Sequence, residues 1–127
     1  KQTNWGIPHN IRTAAAKALG RIGRKHTVHA SRVELRLLEL LEDRNWRVVG
    51  AAIDALRILK KQTSLVPLER IAPRLATRRL RRAATEAATS IREASTKTKQ
   101  DKLQNRIDSL EERVRRLDSR VDEMEAR

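Results

Sequence analysis

Asp43-Arg44-Asn45-Trp46-Arg47-Val48-Val49-Gly50-Ala51-Ala52-Ile53-Asp54-Ala55-Leu56 (residues 43–56) joins two turn-forming polar residues to an apolar stripe at helical spacing. Asp43 and Asn45 have short side chains that accept hydrogen bonds from the orphan amides of a starting helix. Beyond them Val48, Ala52, Ala55, Leu56 and Leu59 recur every three to four residues, the period of one buried helix face. The paired alanines allow a neighbouring helix to approach closely.

The same phrase occurs twice more. Ile11-Arg12-Thr13-Ala14-Ala15-Ala16-Lys17-Ala18-Leu19 precedes it and Leu80-Arg81-Arg82-Ala83-Ala84-Thr85-Glu86-Ala87-Ala88 follows, at offsets of 37 and 32 residues. A period in this range marks a solenoid, whose units bury their apolar faces only against neighbouring units. In the first copy the expected buried stripe is Ile11, Ala15, Ala18, Leu19 and Ile22. Between the copies lie the partner helices. Ser31 with Glu34 has the spacing of a capping box before Val33, Leu37, Leu38, Leu40 and Leu41. Leu65, Val66, Leu68 and Ile71 form a shorter helix, with Pro67 in its first turn and Pro73 closing it before Thr77 caps the next. Val33 precedes Val48 by 15 residues and Leu65 precedes Leu80 by 15, which predicts two helix-turn-helix hairpins.

Composition agrees with this all-α reading. The 127 residues contain four Gly and three Pro, few helix breakers for the length, and no Cys, so a disulfide framework and a cysteine zinc site are excluded. Apolar residues never run for the roughly 18 positions a membrane span needs, and no signal-peptide core opens the sequence. A soluble and, from its lack of cysteine, cytoplasmic protein is expected.

These residues resemble HEAT repeats of the phycobilisome-lyase type, which run as an apolar helix, a short acidic turn and a Val-Arg-x-x-Ala-Ala-x-Ala-Leu helix. Val49 stands in place of the usual Arg, and Ala88 where Leu is expected. The resemblance covers residues 9–94 and implies a scaffold fold without assigning a function. The first copy has no partner helix before it, so residues 1–96 read as a HEAT-like solenoid with a truncated first repeat. An upstream helix would then cover Leu19 and Ile22. Leu-Glu-Asp-Arg-Asn-Trp-Arg-Val-Val-Gly-Ala-Ala-Ile-Asp-Ala-Leu (41–56) and Leu-Val-Pro-Leu-Glu-Arg-Ile-Ala (65–72) are also similar to the C-terminal region of some microbial gluzincin zinc aminopeptidases. That resemblance implies a parent chain that removes N-terminal residues from peptides with a zinc-bound water. None of that family's catalytic residues occurs here.

Charge and composition change near residues 95–98. Residues 1–96 carry 20 basic and 8 acidic groups, residues 97–127 carry 9 and 8, so nearly all of the +13 net charge belongs to the first part. Thr98 with Asp101 could cap a new helix there, and one helix running through the boundary fits equally well. In the second part, residues 97–127, Leu103, Ile107, Leu110, Val114, Leu117, Val121 and Met124 alternate at spacings of four and three, an unbroken heptad stripe. With Ile107, Val114 and Val121 at a and the others at d, β-branched a and mostly Leu d predict a parallel two-stranded coil. Arg106, Arg113 and Arg120 occupy every g position, and Glu111, Asp118 and Glu125 the following e positions. A parallel in-register homodimer pairs each Arg with a partner's acid, whereas an antiparallel one sets like against like. The balanced charges and missing aromatic anchors argue against a membrane-surface helix.

Catalytic patterns are missing. His26 and His29 lie three apart without a third ligand, and His9 is remote in sequence, so no metal site is expected. There is no His-Glu-x-x-His, Gly-rich phosphate loop or Gly-x-Ser-x-Gly elbow. Asp54 and Glu86 hold corresponding repeat positions that neighbouring hairpins would keep apart as surface groups. No cofactor is expected.

The basic excess supports a second expectation. Arg74, Arg78, Arg79, Arg81 and Arg82 crowd one helix start, and Arg44 and Arg47 lie at the equivalent turn one repeat earlier. Stacked repeats would align them into an Arg strip able to contact phosphates, as some HEAT-like alkylpurine DNA glycosylases hold DNA on a basic face. Against it stand the near absence of aromatic residues for base stacking and the unfavourable placement of Arg at a helix N-terminus. The favoured reading is therefore a non-catalytic interaction and oligomerisation scaffold whose partners are a second copy and another protein or upstream domain.

Overall fold

A computed structural model describes residues 6–127. Among the described residues five α-helices follow one another: α1 (His9–Lys25), α2 (Ala30–Leu40), α3 (Trp46–Leu59), α4 (Leu65–Ile71) and α5 (Arg78–Glu125). Short 3-10 turns at Thr27–His29, Gln62–Ser64 and Ala72–Arg74 link them, and no strand occurs among the described residues. The chain is all-α, a solenoid of helical hairpins with a long C-terminal helix. By its internal contacts it divides into two compact units, one ending at Ala94 and one from Ser95 to Arg127.

In the first unit α2 and α3 pack as one hairpin with α1 against both, while α4 and the start of α5 follow as the second, tied by an ion pair between Glu69 of α4 and Arg92 of α5. Val48, Ala52, Ala55, Leu56 and Leu59 of α3 are all buried, as the repeat predicts, and Val49, Ala51 and Ile53 join them. That helix is central and covered on most sides. From α2 come Val33, Leu37 and Leu40, from α4 Leu68, and from α5 Leu80, Ala84, Ala87, Ala88 and Ile91, all in one apolar core. Val66 does not share in it and is exposed.

The face that α1 buries differs from the expected stripe. Ile11 and Ile22 are 54% and 45% exposed, Ala15 is exposed, and the buried residues are Ala16, Gly20 and Gly23. The reason is steric. A Cβ built on Gly20 would lie 2.8 Å from the Ala55 Cβ, and one on Gly23 would lie 2.7 Å from a Leu59 methyl and 3.0 Å from a Val33 methyl. The helix turns its side-chain-free strip inward because only glycine and alanine fit a contact this close; the bulkier isoleucines are left outside.

Two polar ties hold the hairpins in register. Arg12 of α1 donates to both carboxylate oxygens of Asp43, at 2.8 and 3.0 Å, in the turn between α2 and α3. Asp43 also accepts from the Asn45 amide, and the Asn45 side chain caps α3 by accepting from the Arg47 amide at 2.9 Å. The second tie corrects the capping-box reading. Ser31 and Glu34 do not cap α2, which starts at Ala30 without a side-chain cap. Glu34 is instead 6% exposed and accepts from the hydroxyls of Thr63, at 2.6 Å, and Ser64, so that α2 is joined to the turn leading into α4. Ser31 accepts from the Lys61 ammonium at 2.9 Å.

At the start of α5, the Thr77 hydroxyl accepts from the Leu80 amide at 3.2 Å, the expected cap. The helix then runs without interruption past Thr98, so Thr98 and Asp101 begin no new helix. From Thr96 onward every residue of the second unit is exposed.

Candidate interaction surfaces

The heptad stripe forms a continuous apolar seam along the second unit. Leu103, Ile107, Leu110, Val114, Leu117, Val121 and Met124 are 47–75% exposed, and helical geometry places successive a and d residues on one face. The charges flanking the seam and those behind it behave differently. Glu112, at f, approaches Arg115 at 3.8 Å and Arg116 at 3.4 Å, on the side away from the seam. Among the described residues, Arg106, Arg113, Arg120, Glu111, Asp118 and Glu125 take part in no ion pair within the chain.

In the first unit, the turn between α2 and α3 and the turn between α4 and α5 line a groove of about 540 Å³. Partly exposed Leu38, Pro67 and Ile71 contribute apolar surface beside the buried Leu41, Val49, Leu75 and Leu80, Trp46 forms part of its wall, and Arg44, Arg70 and Arg74 bring guanidiniums. Trp46 is 54% exposed because it is the first residue of α3, and the Arg47 guanidinium lies 5.1 Å from its ring centre. Asp43 also lines the groove. Burial alone would raise its carboxyl pKa, but the Arg12 hydrogen bonds and charge together with the Asn45 amide outweigh that and hold it below its ordinary value. Its charge is thus already matched by Arg12.

The seven arginines of the expected strip therefore serve different ends. Arg44 and Arg74 share the groove, while Arg47 stacks on Trp46. Arg81 donates to the Leu75 carbonyl at 2.8 Å and so fastens the turn, and Arg82 pairs with Glu86 at 3.0 Å. Arg78 and Arg79 are exposed. Two features escaped the sequence reading: Arg70, which belongs to α4 and joins the groove only through the fold, and Glu34, whose signal was its place on the Ala30-Val33-Leu37 face of α2.

The remaining candidates are surface groups. Asp54 lies 3.9 Å from Arg57 and Glu86 pairs with Arg82, each within its own helix. The rings of His26 and His29 meet edge to face with centres 6.4 Å apart. No group of three or more His, Cys, Asp or Glu is placed to hold a metal among the described residues. No described helix is long and apolar enough to cross a membrane.

Helical hairpins stacked on a shared core, with turns aligned along an edge, define an α-solenoid of the HEAT class. Residues 8–89 match the family model for HEAT repeats, and the chain belongs to that family. Comparison with curated proteins and with solved structures gives no significant match. HEAT repeats generally mediate protein–protein interaction and are typically non-catalytic, which fits the surfaces described above.

Proposed function

We propose that this chain is a non-catalytic interaction module that dimerises through its C-terminal helix and presents its HEAT unit to a protein partner. The observation that carries the reading is the exposed seam of seven apolar residues bordered by arginines at g and acids at e that lack a partner within the described chain. Parallel pairing of two copies covers the seam and supplies each of those charges with an opposite one. Exposed pairs contribute only about 0.2–1 kcal/mol each, so the apolar seam holds the dimer and the charges set its orientation.

Sedimentation equilibrium tests this. The wild-type chain is expected at twice its 14.6 kDa mass. Leu110→Lys with Leu117→Lys is expected to return it to monomer while the thermal transition of the HEAT unit stays in place. An unchanged mass in that variant would refute the coil.

Within this reading the parent protein is a cytoplasmic zinc aminopeptidase of the gluzincin class, supported by the likeness of residues 41–56 and 65–72 to the C-terminal region of such enzymes. The module would there shape substrate access or oligomeric state. An upstream sequence containing His-Glu-x-x-His and a downstream Glu is the expected confirmation.

Nucleic-acid binding is the second reading, supported by the +12 excess of residues 1–96 and by Arg44 and Arg74 facing one groove. Titration with a labelled DNA duplex separates the two. Loss of binding once salt exceeds about 0.1 M marks nonspecific charge attraction, whereas binding near physiological salt with a steep salt slope supports recognition of phosphates.

A further inference from the structure

The groove between the two hairpin turns combines apolar and cationic surface in a way that neither stacking of the repeats nor dimerisation uses. Its apolar part comes from the partly exposed Leu38, Pro67 and Ile71 beside Leu75 and Leu80, which are 8% and 7% exposed and packed in the core, so it is a formed surface. Its volume lies within the range of about 300–1,000 Å³ typical of ligand sites. Trp46 stands half-exposed at the wall even with the Arg47 guanidinium 5.1 Å from its ring centre, and an indole gains from further cover.

The charges around it are unequal. Arg44, Arg70 and Arg74 face Glu42 and Asp43, and Asp43 is already engaged by Arg12. Among the described residues, Arg70 and Arg74 make no ion pair. The groove therefore offers planar guanidinium donors suited to carboxylates beside an apolar floor suited to a bulky side chain. Trp and Arg are also the residue types that most often dominate binding energy at protein interfaces. A nucleic-acid backbone would satisfy the arginines but leave the floor uncovered, and this groove has a single aromatic ring for stacking.

We propose that this groove docks an acidic segment of a partner protein, which inserts a bulky apolar side chain beside Trp46 and sets flanking carboxylates on Arg70 and Arg74. The proposal rests on the interaction-module reading and names the chemistry of its partner. The strongly positive HEAT unit would speed the approach of such a segment.

Phage display of random peptides about a dozen residues long, selected on the full chain in about 0.15 M NaCl, tests it. Selected sequences are expected to place Asp or Glu on both sides of Leu, Ile, Phe or Trp. In fluorescence anisotropy, the strongest selected peptide is expected to lose roughly tenfold or more in affinity with Trp46→Ala and, separately, with Arg70→Ala plus Arg74→Ala. Arg21→Ala plus Lys25→Ala, which removes as much charge from exposed positions of α1, is expected to leave affinity within about twofold. No selection of peptides, selected peptides without acids, equal losses in the α1 variant, no loss in the groove variants, or displacement of the peptide by a DNA duplex at that salt would each overturn the proposal. The peptide titration is repeated on the Leu110→Lys, Leu117→Lys chain. Groove binding is expected to persist there, so failure of the dimer and failure of the groove are read separately.

Discussion

Replacing three glycines by alanine, one at a time, should change stability in opposite directions, because their helical cost is similar while their surroundings differ. Alanine in a helix interior is favoured over glycine by about 0.5–1 kcal/mol. At Gly50 of α3 that gain is retained, since the nearest side-chain atom to a new Cβ is a Leu80 methyl at 3.7 Å, an ordinary contact. At Gly20 the new methyl would lie 2.8 Å from the Ala55 Cβ and 3.0 Å from its Cα, well inside the roughly 3.5–4.0 Å optimum for carbon pairs. No rotamer of Ala55 relieves this, so α1 and α3 must separate. Overpacking of this kind costs about 1–3 kcal/mol, and after subtracting the propensity gain Gly20→Ala should destabilise by about 1–2 kcal/mol. Gly23 falls between them. The Leu59 methyl 2.7 Å away can swing aside, but Val33 is β-branched and holds its methyl at 3.0 Å, so a net loss of about 0–1 kcal/mol is expected. Thermal and urea unfolding followed by circular dichroism read all three. For a unit of this size, 1 kcal/mol moves the midpoint by roughly 4–8 °C, so Gly50→Ala should melt above wild type and Gly20→Ala clearly below it. If Gly20→Ala were as stable as Gly50→Ala, α1 could not cross α3 at the separation described.

Asp43→Asn should cost about 1–3 kcal/mol at neutral pH, because it removes the charged partner of a largely buried Arg12 while keeping a side chain for the turn. The Asp43 pKa is depressed in the folded state, so its contribution is complete above the unfolded-state value and fades as pH falls through the folded-state value. Urea melts should therefore show the gap between wild type and variant closing in acid; a gap independent of pH would remove Asp43 from the account. Glu34→Ala should cost about 1–3 kcal/mol, because the Thr63 and fully buried Ser64 hydroxyls lose their acceptor. Hydrogen exchange should then be fastest to increase around residues 62–65, and unchanged exchange there would contradict the tie.

The repeat was legible because α3 is surrounded: with neighbours on most sides, its large apolar residues mark its buried face directly. On α1 the same rule misleads. Ile11 and Ile22 have the spacing of a core stripe, yet the contact with α3 was made at Gly20 and Gly23, where close approach requires the absence of a side chain. Glu34 was similarly ambiguous, since a Ser-x-x-Glu spacing fits a cap as well as a buried acid; only the arrival of Thr63 and Ser64 from the next repeat distinguishes them. The heptad seam needs no tertiary information, because one helix alone puts Leu103 to Met124 on a face. The groove at Trp46 needs it entirely, as Arg70 and Arg74 line one groove with Trp46 only when two successive turns align.

Pairing of the C-terminal helices in parallel is most directly read by cross-linking. The chain contains no cysteine, so Met124→Cys introduces a single thiol at a d position. In a parallel in-register dimer the two thiols face each other, whereas in an antiparallel one residue 124 lies opposite the Leu103 end, roughly 30 Å from its counterpart at 1.5 Å per residue. In a glutathione redox buffer a disulfide-linked dimer is expected from Met124→Cys alone. A cross-link formed only when Leu103→Cys and Met124→Cys are combined, or none in either variant, would contradict it.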